Sequence, residues 1–289
     1  MRRRAVIAGG CLILALLPGC AGWRSRRDAG ADSPAQEARR QELSQDATAA
    51  MDSGQYDRAR PVLETLAAES PKSAELHFRL GKVKQLQGDL GSAEVSYLRA
   101  LTFDPRYVGA LIGLGQVSAR LGRHPAALER FETAIEVDPN QPEAHFARGQ
   151  SLEALGRTDD ALAAYFRSLE LDPGSAPAIL RIATLQLGRG QPDQALVRLD
   201  QAVDLAPDDP EARHQRGLAH LALKHAGPAI ADLSSAAARL PDRPDVLLHL
   251  AQALEADRKP SEALQAVERS LRLDPTSTIA RDLSDRLRR

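Results

Sequence analysis

A fixed period of 34 residues runs through most of this chain and constrains its fold more than any other feature. Seven prolines recur at that spacing, and seven alanines keep the same step with no insertion in between: Pro71, Pro105, Pro139, Pro173, Pro207, Pro241 and Pro275, with Ala59, Ala93, Ala127, Ala161, Ala195, Ala229 and Ala263. A fixed period of this length is typical of solenoids, in which each repeat packs only against its neighbours. The sequence therefore predicts an extended repeat fold.

Within one period the apolar residues are spaced for two helices. Counting starts at Ala74 as position 1 and restarts every 34 residues. In residues 127–137 the apolar set is Ala127, Leu128, Phe131, Ala134 and Ile135, spaced by three and four as an amphipathic helix requires. The closing proline ends the second helix, because it lacks an N–H and disfavours helical backbone in the residue before it. Each period therefore predicts a helix–turn–helix unit.

Glycines mark the turn inside most units. They are Gly54, Gly88, Gly122, Gly156 and Gly190, and they permit the left-handed backbone that often ends a helix. The last two units carry Lys224 and Arg258 at this place. A second set of glycines lies inside the first helix, at Gly81, Gly115, Gly149 and Gly217. We expect this set to face the repeated alanines where the two helices of a hairpin cross closely.

The unit resembles the tetratricopeptide repeat, with Leu80-Gly81, Ala93, Tyr97 and Pro105 at the places where that family has its pattern. The resemblance implies an all-α, right-handed solenoid of about seven 34-residue repeats over residues 40–277. Residues 40–51 depart from the pattern and predict an N-terminal capping unit. Residues 278–289, with apolar side chains four apart, predict a C-terminal capping helix that covers the open end.

The first 19 residues predict an export signal of the lipoprotein type. Arg2–Arg4 form a charged start, and Ala5–Leu17 form an apolar stretch too short for a comfortable membrane span. Leu17-Pro18-Gly19-Cys20 resembles a bacterial lipobox, which implies cleavage before Cys20 and lipid attachment to its thiol. An uncleaved signal anchor, or a cytoplasmic protein with an apolar start, is the alternative.

Residues 20–39 then predict a flexible tether between the anchor and the repeats, since they are rich in Gly, Ala, Ser, Arg and Asp. The residue after Cys20 is Ala21 and not aspartate. By resemblance to Gram-negative lipoproteins, this favours sorting to the outer membrane, facing the periplasm. The expected location is the cell envelope.

Composition and motifs argue against several other classes of function. Net charge is −1 for the chain and −4 after loss of residues 1–19, which is not the basic surface of a nucleic-acid-binding protein. There is no catalytic or phosphate-binding motif and no paired-cysteine metal site. His214, His220 and His225 are spaced by six and five, so one helical face cannot hold them as metal ligands. We expect no catalytic residues, metal or cofactor.

The resemblance places a partner-binding groove along the first helices. Position 5 of successive units supplies a mainly apolar track of Phe78, Ile112, Phe146, Leu180, His214 and Leu248. Position 9 borders it mainly with polar residues, namely Lys82, Gln116, Gln150, Thr184, Leu218 and Gln252. The candidate groove residues are the apolar ones at position 5 and, at position 9, the lysine and the three glutamines. Such a surface suits an extended or helical peptide. The alternative is that the apolar residues only pack neighbouring hairpins together.

These observations predict a non-enzymatic, membrane-tethered adaptor for protein–protein interaction in bacterial envelope assembly. Its partners would be a protein or peptide in the groove and the membrane through Cys20. A soluble or signal-anchored spacer that associates with itself is a second hypothesis. A solenoid that binds a ligand or catalyses a reaction is a third.

Overall fold

The computed structural model describes residues 33–289, and this part of the chain folds into helices without strands. Seven helix pairs follow one another, and a single helix ends the array. The pairs are α1 Pro34–Asp52 with α2 Tyr56–Glu69, α3 Ala74–Leu86 with α4 Leu90–Phe103, α5 Val108–Arg120 with α6 His124–Val137, α7 Pro142–Ala154 with α8 Thr158–Leu171, α9 Ala176–Gly188 with α10 Pro192–Leu205, α11 Pro210–Ala222 with α12 Ala226–Arg239, and α13 Pro244–Ala256 with α14 Pro260–Leu273; α15 Thr278–Leu287 follows. The predicted all-α solenoid of seven repeats is confirmed.

Each helix packs against the helix before it and the helix after it in the chain. First helices of neighbouring pairs also contact each other, as α3 does with α5 and α5 with α7. Second helices make no comparable contacts with each other in residues 33–289. Helices on the inside of a curved array lie closer together than those on the outside. The first helices therefore line the inner side of the solenoid, and the second helices form its outer side.

The core is a series of apolar clusters along the array, with small residues at the helix crossings. The seven repeated alanines are all fully buried. Position 24 carries the largest buried side chains, among them Tyr97, Phe131 and Tyr165. In later units this position holds Leu199, Leu233 and Val267, which are also completely buried. Because every unit repeats this arrangement, each hairpin shares its core with the hairpins on either side.

We expected the glycines of the first helices to face the repeated alanines, but the side chain nearest to each of them is the one at position 24. A Cβ on Gly81 would come within 2.7 Å of the Tyr97 ring, and one on Gly149 within 2.6 Å of the Tyr165 ring. On Gly217 it would come within 2.6 Å of Leu233. These partners lie four residues beyond the alanines, one helical turn further on. The larger side chain at that position, and not the alanine, is what requires the glycine.

The turns inside the hairpins follow the sequence prediction. The mid-unit glycines are all in the left-handed region, with φ from +69° to +82°. Lys224 and Arg258 take the same conformation at φ 61° and 57°. Non-glycine residues adopt it only at an energetic cost. The last two turns therefore keep the geometry of the others despite their side chains.

Helix α1 begins at Pro34, six residues before the boundary we placed between tether and repeats. Ser33 accepts a hydrogen bond from the Gln36 amide through its side chain, and the Gln36 side chain accepts one from the Ser33 amide. This reciprocal pair of hydrogen bonds, with proline at the first helical position, starts a helix at Pro34. The signal segment 1–19, Cys20 and the first part of the 20–39 tether lie outside the described residues.

Candidate binding groove

The inner side of the solenoid brings several predicted site residues together between α3 and α5. Phe78, Lys82, Ile112 and Gln116 line a common cavity of about 270 Å³. Its wall also includes the ring of Tyr97, which lies within 6.1 Å of the Phe78 ring, centroid to centroid. Phe78 is half-buried, Ile112 is buried and Lys82 is exposed. The cavity therefore has apolar walls and a cation at its rim.

Two glycines of α5 allow the aromatic rings to come this close. A Cβ on Gly113 would lie 2.5 Å from Tyr97 Cζ, and a Cβ on Gly109 would lie 2.9 Å from Phe78 Cε2. Gly113 holds position 6, where other units carry Arg79, Ala147, Arg181, Gln215 and His249. Glycine at this position is therefore specific to α5. The backbone of α5 forms part of the cavity wall.

A chain of hydrogen bonds crosses four helices at this cavity. The Tyr97 hydroxyl donates to Gln85 Oε1 at 2.7 Å, and Gln85 Nε2 donates to Gln116 Oε1 at 3.1 Å. Gln116 Nε2 in turn donates to Glu143 Oε1 at 2.7 Å. Burial raises the pKa of Tyr97, and the negative charge of Glu143 adds to this. The phenol therefore stays protonated and serves as a donor.

A second cavity of about 250 Å³ adjoins the first, because Gln85 and Gln116 line both. It extends the surface to Gln150, an exposed residue of α7, and to Arg120 and His124. The predicted groove is thus a connected surface over α3, α5 and α7. Gln85, Tyr97 and Glu143 belong to it, although the sequence interpretation did not include them. The repeat pattern identified Tyr97 only as a repeat position and did not single out Gln85 or Glu143, since the hydrogen-bond chain depends on side-chain orientations across helices.

The remaining predicted groove residues belong more to the packing between hairpins. Phe146 is half-buried and lies 5.4 Å from the Tyr165 ring, centroid to centroid. Leu180 and Leu248 are also half-buried and pack against buried residues of neighbouring helices. Gln252 is partly exposed on α13. For these residues a role in binding stays a prediction.

The histidines form pairs that the sequence spacing did not predict. His214 Nε2 lies 2.9 Å from His249 Nδ1 of the next unit, while the His220 and His225 rings lie 5.8 Å apart, centroid to centroid, with their planes tilted by 48°. No group of three or more His, Cys, Asp or Glu side chains in residues 33–289 is placed to hold a metal ion. His77 has another role: its Nε2 is 2.9 Å from the carbonyl oxygen of Pro71. It thus ties the loop before α3 to that helix.

None of the fifteen described helices combines the length and apolar character needed to cross a membrane.

Successive helix pairs, left-handed turns inside each pair and small residues at the helix crossings define a solenoid of helix–turn–helix repeats. The profile described as Tetratricopeptide repeat matches residues 45–108, 112–176 and 214–278, and a second profile of that description matches residues 152–219. Together these segments cover most of the chain, so it belongs to the tetratricopeptide repeat family. No curated protein is significantly similar to it in sequence.

Solved structures share this fold at low sequence identity. The APC/C heterotetramer Cut9–Hcn1 superposes with a TM-score of 0.70 and 18% identity, over 83% of this chain and 48% of the other. This chain therefore spans about half the length of the chain that it matches in the Cut9–Hcn1 structure. PilF of Pseudomonas aeruginosa gives a TM-score of 0.68 at 18% identity, over 74% and 97% of the two chains. YrrB, a repeat protein with an unusual peptide-binding site, gives a TM-score of 0.57 at 17% identity, over 65% of this chain and 97% of the YrrB chain.

Proposed function

We propose that this protein is a non-enzymatic scaffold of the bacterial envelope that captures a peptide segment of a partner protein on α3, α5 and α7. The observation that carries the proposal is the pair of adjoining cavities joined by the Tyr97–Gln85–Gln116–Glu143 hydrogen-bond chain. Apolar walls accept a side chain of the peptide. The amides on the rim can donate to and accept from its backbone.

The family and one solved relative support a peptide as the occupant. Tetratricopeptide repeats present concave surfaces to protein partners, and YrrB is described as having a peptide-binding site. Within the described residues the groove presents no cluster of metal-ligating side chains. Its polar groups are the amides of Gln85, Gln116 and Gln150, the Glu143 carboxylate, the Tyr97 and Ser151 hydroxyls, the His124 imidazole, and the cations of Lys82 and Arg120. Such a mixture can pair with the backbone and the side chains of a peptide.

The tether to the membrane is part of the proposal and rests on sequence alone. Residues 1–19 predict export to the envelope, Leu17-Pro18-Gly19-Cys20 predicts a lipid-modified Cys20, and Ala21 after it favours the outer membrane. A lipid anchor would restrict the groove to partners near the membrane and raise their effective concentration. Assembly of an envelope complex is a function that needs both the lipid anchor and the groove.

Site-specific photocrosslinking in living cells tests the two parts separately. A photoreactive residue at Gln150, exposed on α7 in the groove, should capture one envelope protein. The same residue at Gln201, exposed on the outer helix α10, is the matched control and should capture nothing. Gln116→Ala, which interrupts the hydrogen-bond chain, should reduce capture from Gln150 without loss of helical content.

Replacement of Cys20 by alanine tests the anchor. The variant should move from the membrane to the soluble fraction and lose capture of its partner. Capture from Gln201 but not from Gln150 would show that the groove is the wrong surface. A Cys20→Ala variant that stays in the membrane fraction would contradict the lipid anchor and leave the groove assignment standing.

A further inference from the structure

One lysine occupies a position that is part of the core in other repeats. Lys84 of α3 holds position 11, where later units carry Ser118, Leu152, Gln186, His220 and Leu254. Leu152 is 1% exposed and Leu254 is 5% exposed. A cation at such a place loses hydration and is tolerated only when something compensates for it. Residues that break a local rule of the fold are expected at functional sites.

Lys84 lines a cavity of about 700 Å³ on the outer side of the solenoid, between α2 and α4. The apolar part of its wall comes from Ala67, Leu80 and Phe103. The Phe103 ring is 42% exposed and stacks on the His77 ring at a centroid distance of 5.7 Å. The hydrogen bond between His77 and the Pro71 carbonyl holds the His77 ring in place beneath Phe103. An incoming flat or branched apolar group therefore meets a rigid aromatic surface.

The charges at this cavity are not balanced. Lys84 Nζ donates to the Ser96 hydroxyl at 3.2 Å, and Arg99 lines the same wall. Across residues 33–289 no carboxylate lies within 4 Å of either cation. Glu64 also lines the cavity, but it pairs with Arg60 at 3.2 Å, and Asp89 pairs with the same arginine at 3.4 Å. The cavity is thus bordered by two cations that have no acid within 4 Å and by one carboxylate that already has a partner.

The pKa of Lys84 agrees with this reading of the geometry. It is lowered mainly by burial, and Arg60 and Arg99 lower it further. Glu64 and Asp89 raise it, but they do not offset the burial. A bound anion would stabilise the ammonium form.

The outer face of α4 extends the site beyond the size of a small ligand. Val95 and Leu98 are 56% and 46% exposed, and they share one helical face with Arg99 and Thr102 at spacings of three and four. Arg99 and Thr102 line the cavity itself. An apolar strip therefore leads along α4 into a cationic cavity with an aromatic wall. This continuity favours a peptide over a single small molecule.

We propose that the outer cleft between α2 and α4 is a second peptide-binding site, which takes an acidic segment of a partner protein. A carboxylate of the segment pairs with Lys84 and Arg99, and a neighbouring apolar side chain packs on Phe103. The site faces away from the groove of the first helices. It therefore allows the protein to hold two partners at once, and it does not depend on the groove being occupied.

Titration calorimetry with the full-length protein tests this site. The probe is the peptide acetyl-Leu-Ala-Phe-Glu-Ala-amide, and the same peptide with glutamine in place of glutamate is its neutral counterpart. We expect the acidic peptide to bind at least about tenfold more tightly, and the difference to shrink as salt is added. Arg99→Met should weaken binding of the acidic peptide. Arg167→Met is the matched control, because Arg167 holds the same position on α8 and is paired with Glu170 at 2.9 Å.

Lys84→Leu separates a binding role from a structural one. The variant restores the leucine that α7 and α13 carry at this position, so it should unfold at a higher temperature than the parent. It should also lose about tenfold or more in affinity for the acidic peptide. Unchanged binding by Lys84→Leu, equal binding of the neutral peptide, or no binding at millimolar peptide would each overturn the proposal. If phenylacetate alone bound as tightly as the peptide, the occupant would be a small carboxylate, and the peptide assignment would be wrong.

Discussion

Gly115 lies so close to Phe131 that a methyl group on the glycine would come within 2.5 Å of Phe131 Cε1. The two residues hold positions 8 and 24 of one unit, where the helices of a hairpin cross. Where position 24 is smaller, position 8 usually gains a methyl group, as the pairs Ala47–Leu63, Ala183–Leu199 and Ala251–Val267 show. The combined volume of the two side chains is therefore kept within narrow limits along the solenoid, and this complementarity sets the distance between the helices.

Gly115→Ala should lower the free energy of unfolding by about 1–3 kcal/mol, because the new methyl group overpacks the crossing. Chemical denaturation followed by circular dichroism measures the loss. The Phe131 side chain is fully buried, so it cannot turn away from the new methyl group without displacing its neighbours.

Adding Phe131→Leu to that variant reproduces the natural pair Ala183–Leu199 and should recover part of the lost stability. The Phe131→Leu change alone should destabilise, since it leaves a cavity beside Gly115. The two changes are therefore expected to couple favourably in a double-mutant cycle. Additive effects would show that the crossing does not limit the volume at these positions.

The turns of the last two hairpins offer a gain in stability. Lys224 is held at φ 61°, a conformation that glycine adopts without steric cost. Lys224→Gly should therefore stabilise the fold by roughly 0.5–1 kcal/mol. Gly122→Lys is the reverse change at a turn with φ 75° and open space around it, and it should destabilise by a similar amount. Thermal unfolding of both variants checks the prediction. A shift of the melting temperature in the same direction for both would contradict it.

The helix pairs could be predicted from the sequence because each signal repeats. Pro105 and Ala93 recur without a shift, so helix ends and crossings could be placed from seven copies. The start of α1 was missed because its cap at Ser33 lies outside the repeat and has no copy for comparison. The contact of Gly115 with Phe131 was also missed. Spacing alone does not say which residue on the facing helix lies opposite the glycine.

The site was less predictable, because it depends on departures from the repeat. Gln85 and Glu143 join Tyr97 through side-chain orientations that no period encodes. For Lys84, a signal did exist: among the seven helix pairs it is the only lysine, arginine, aspartate or glutamate at position 11. Comparing columns across units, and not only the consensus positions, would have singled it out.

A buried ion pair holds α11 against α12. Arg216 Nε and Nη2 donate to the two carboxylate oxygens of Asp232 at 2.7 and 2.8 Å, and the Asp232 side chain is only 5% exposed. Asp232→Ala should cost about 3 kcal/mol, because it leaves a partly buried guanidinium without its main partner. Asp200→Ala removes the exposed acid that contacts the same arginine at 3.1 Å, and it should cost less than about 1 kcal/mol.

The apolar counterpart of this pair provides a further control. Residues 250 and 266, at the same two positions of the next unit, are Leu250 and Ala266. The double change Arg216→Leu with Asp232→Ala should therefore be much more stable than Asp232→Ala alone, since neither member of the buried pair remains. Arg213, whose Nη1 lies 3.5 Å from Asp232, loses that contact equally in both variants and keeps its hydrogen bond to the Pro207 carbonyl. Denaturant unfolding compares the variants. If the double variant were as unstable as Asp232→Ala, the cost would arise from lost packing and not from the unpaired arginine.

The histidine pair between α11 and α13 makes the C-terminal units sensitive to acid. Burial, together with the neighbouring His214, lowers the pKa of His249 to about 4. Contact with His214 lowers the pKa of Glu211 to about 2, and the hydrogen bond from Arg243 lowers that of Asp245 to about 2. All three groups thus release their protons more readily in the folded protein than in the unfolded chain. For all three, stability is lost as pH falls.

His249 affects stability in a different pH range from the two carboxylates. Between about pH 6.5 and pH 4 the unfolded chain binds a proton at residue 249 that the folded protein does not, so stability falls through this range by roughly 2 kcal/mol. The two carboxylates act only below about pH 4.5. His249→Gln, which keeps a hydrogen-bonding group but does not titrate, should reduce the difference in melting temperature between about pH 7 and pH 5. His225→Gln, at an exposed histidine, should leave that difference unchanged. An equal acid shift in wild type and His249→Gln would show that the proton is taken up elsewhere.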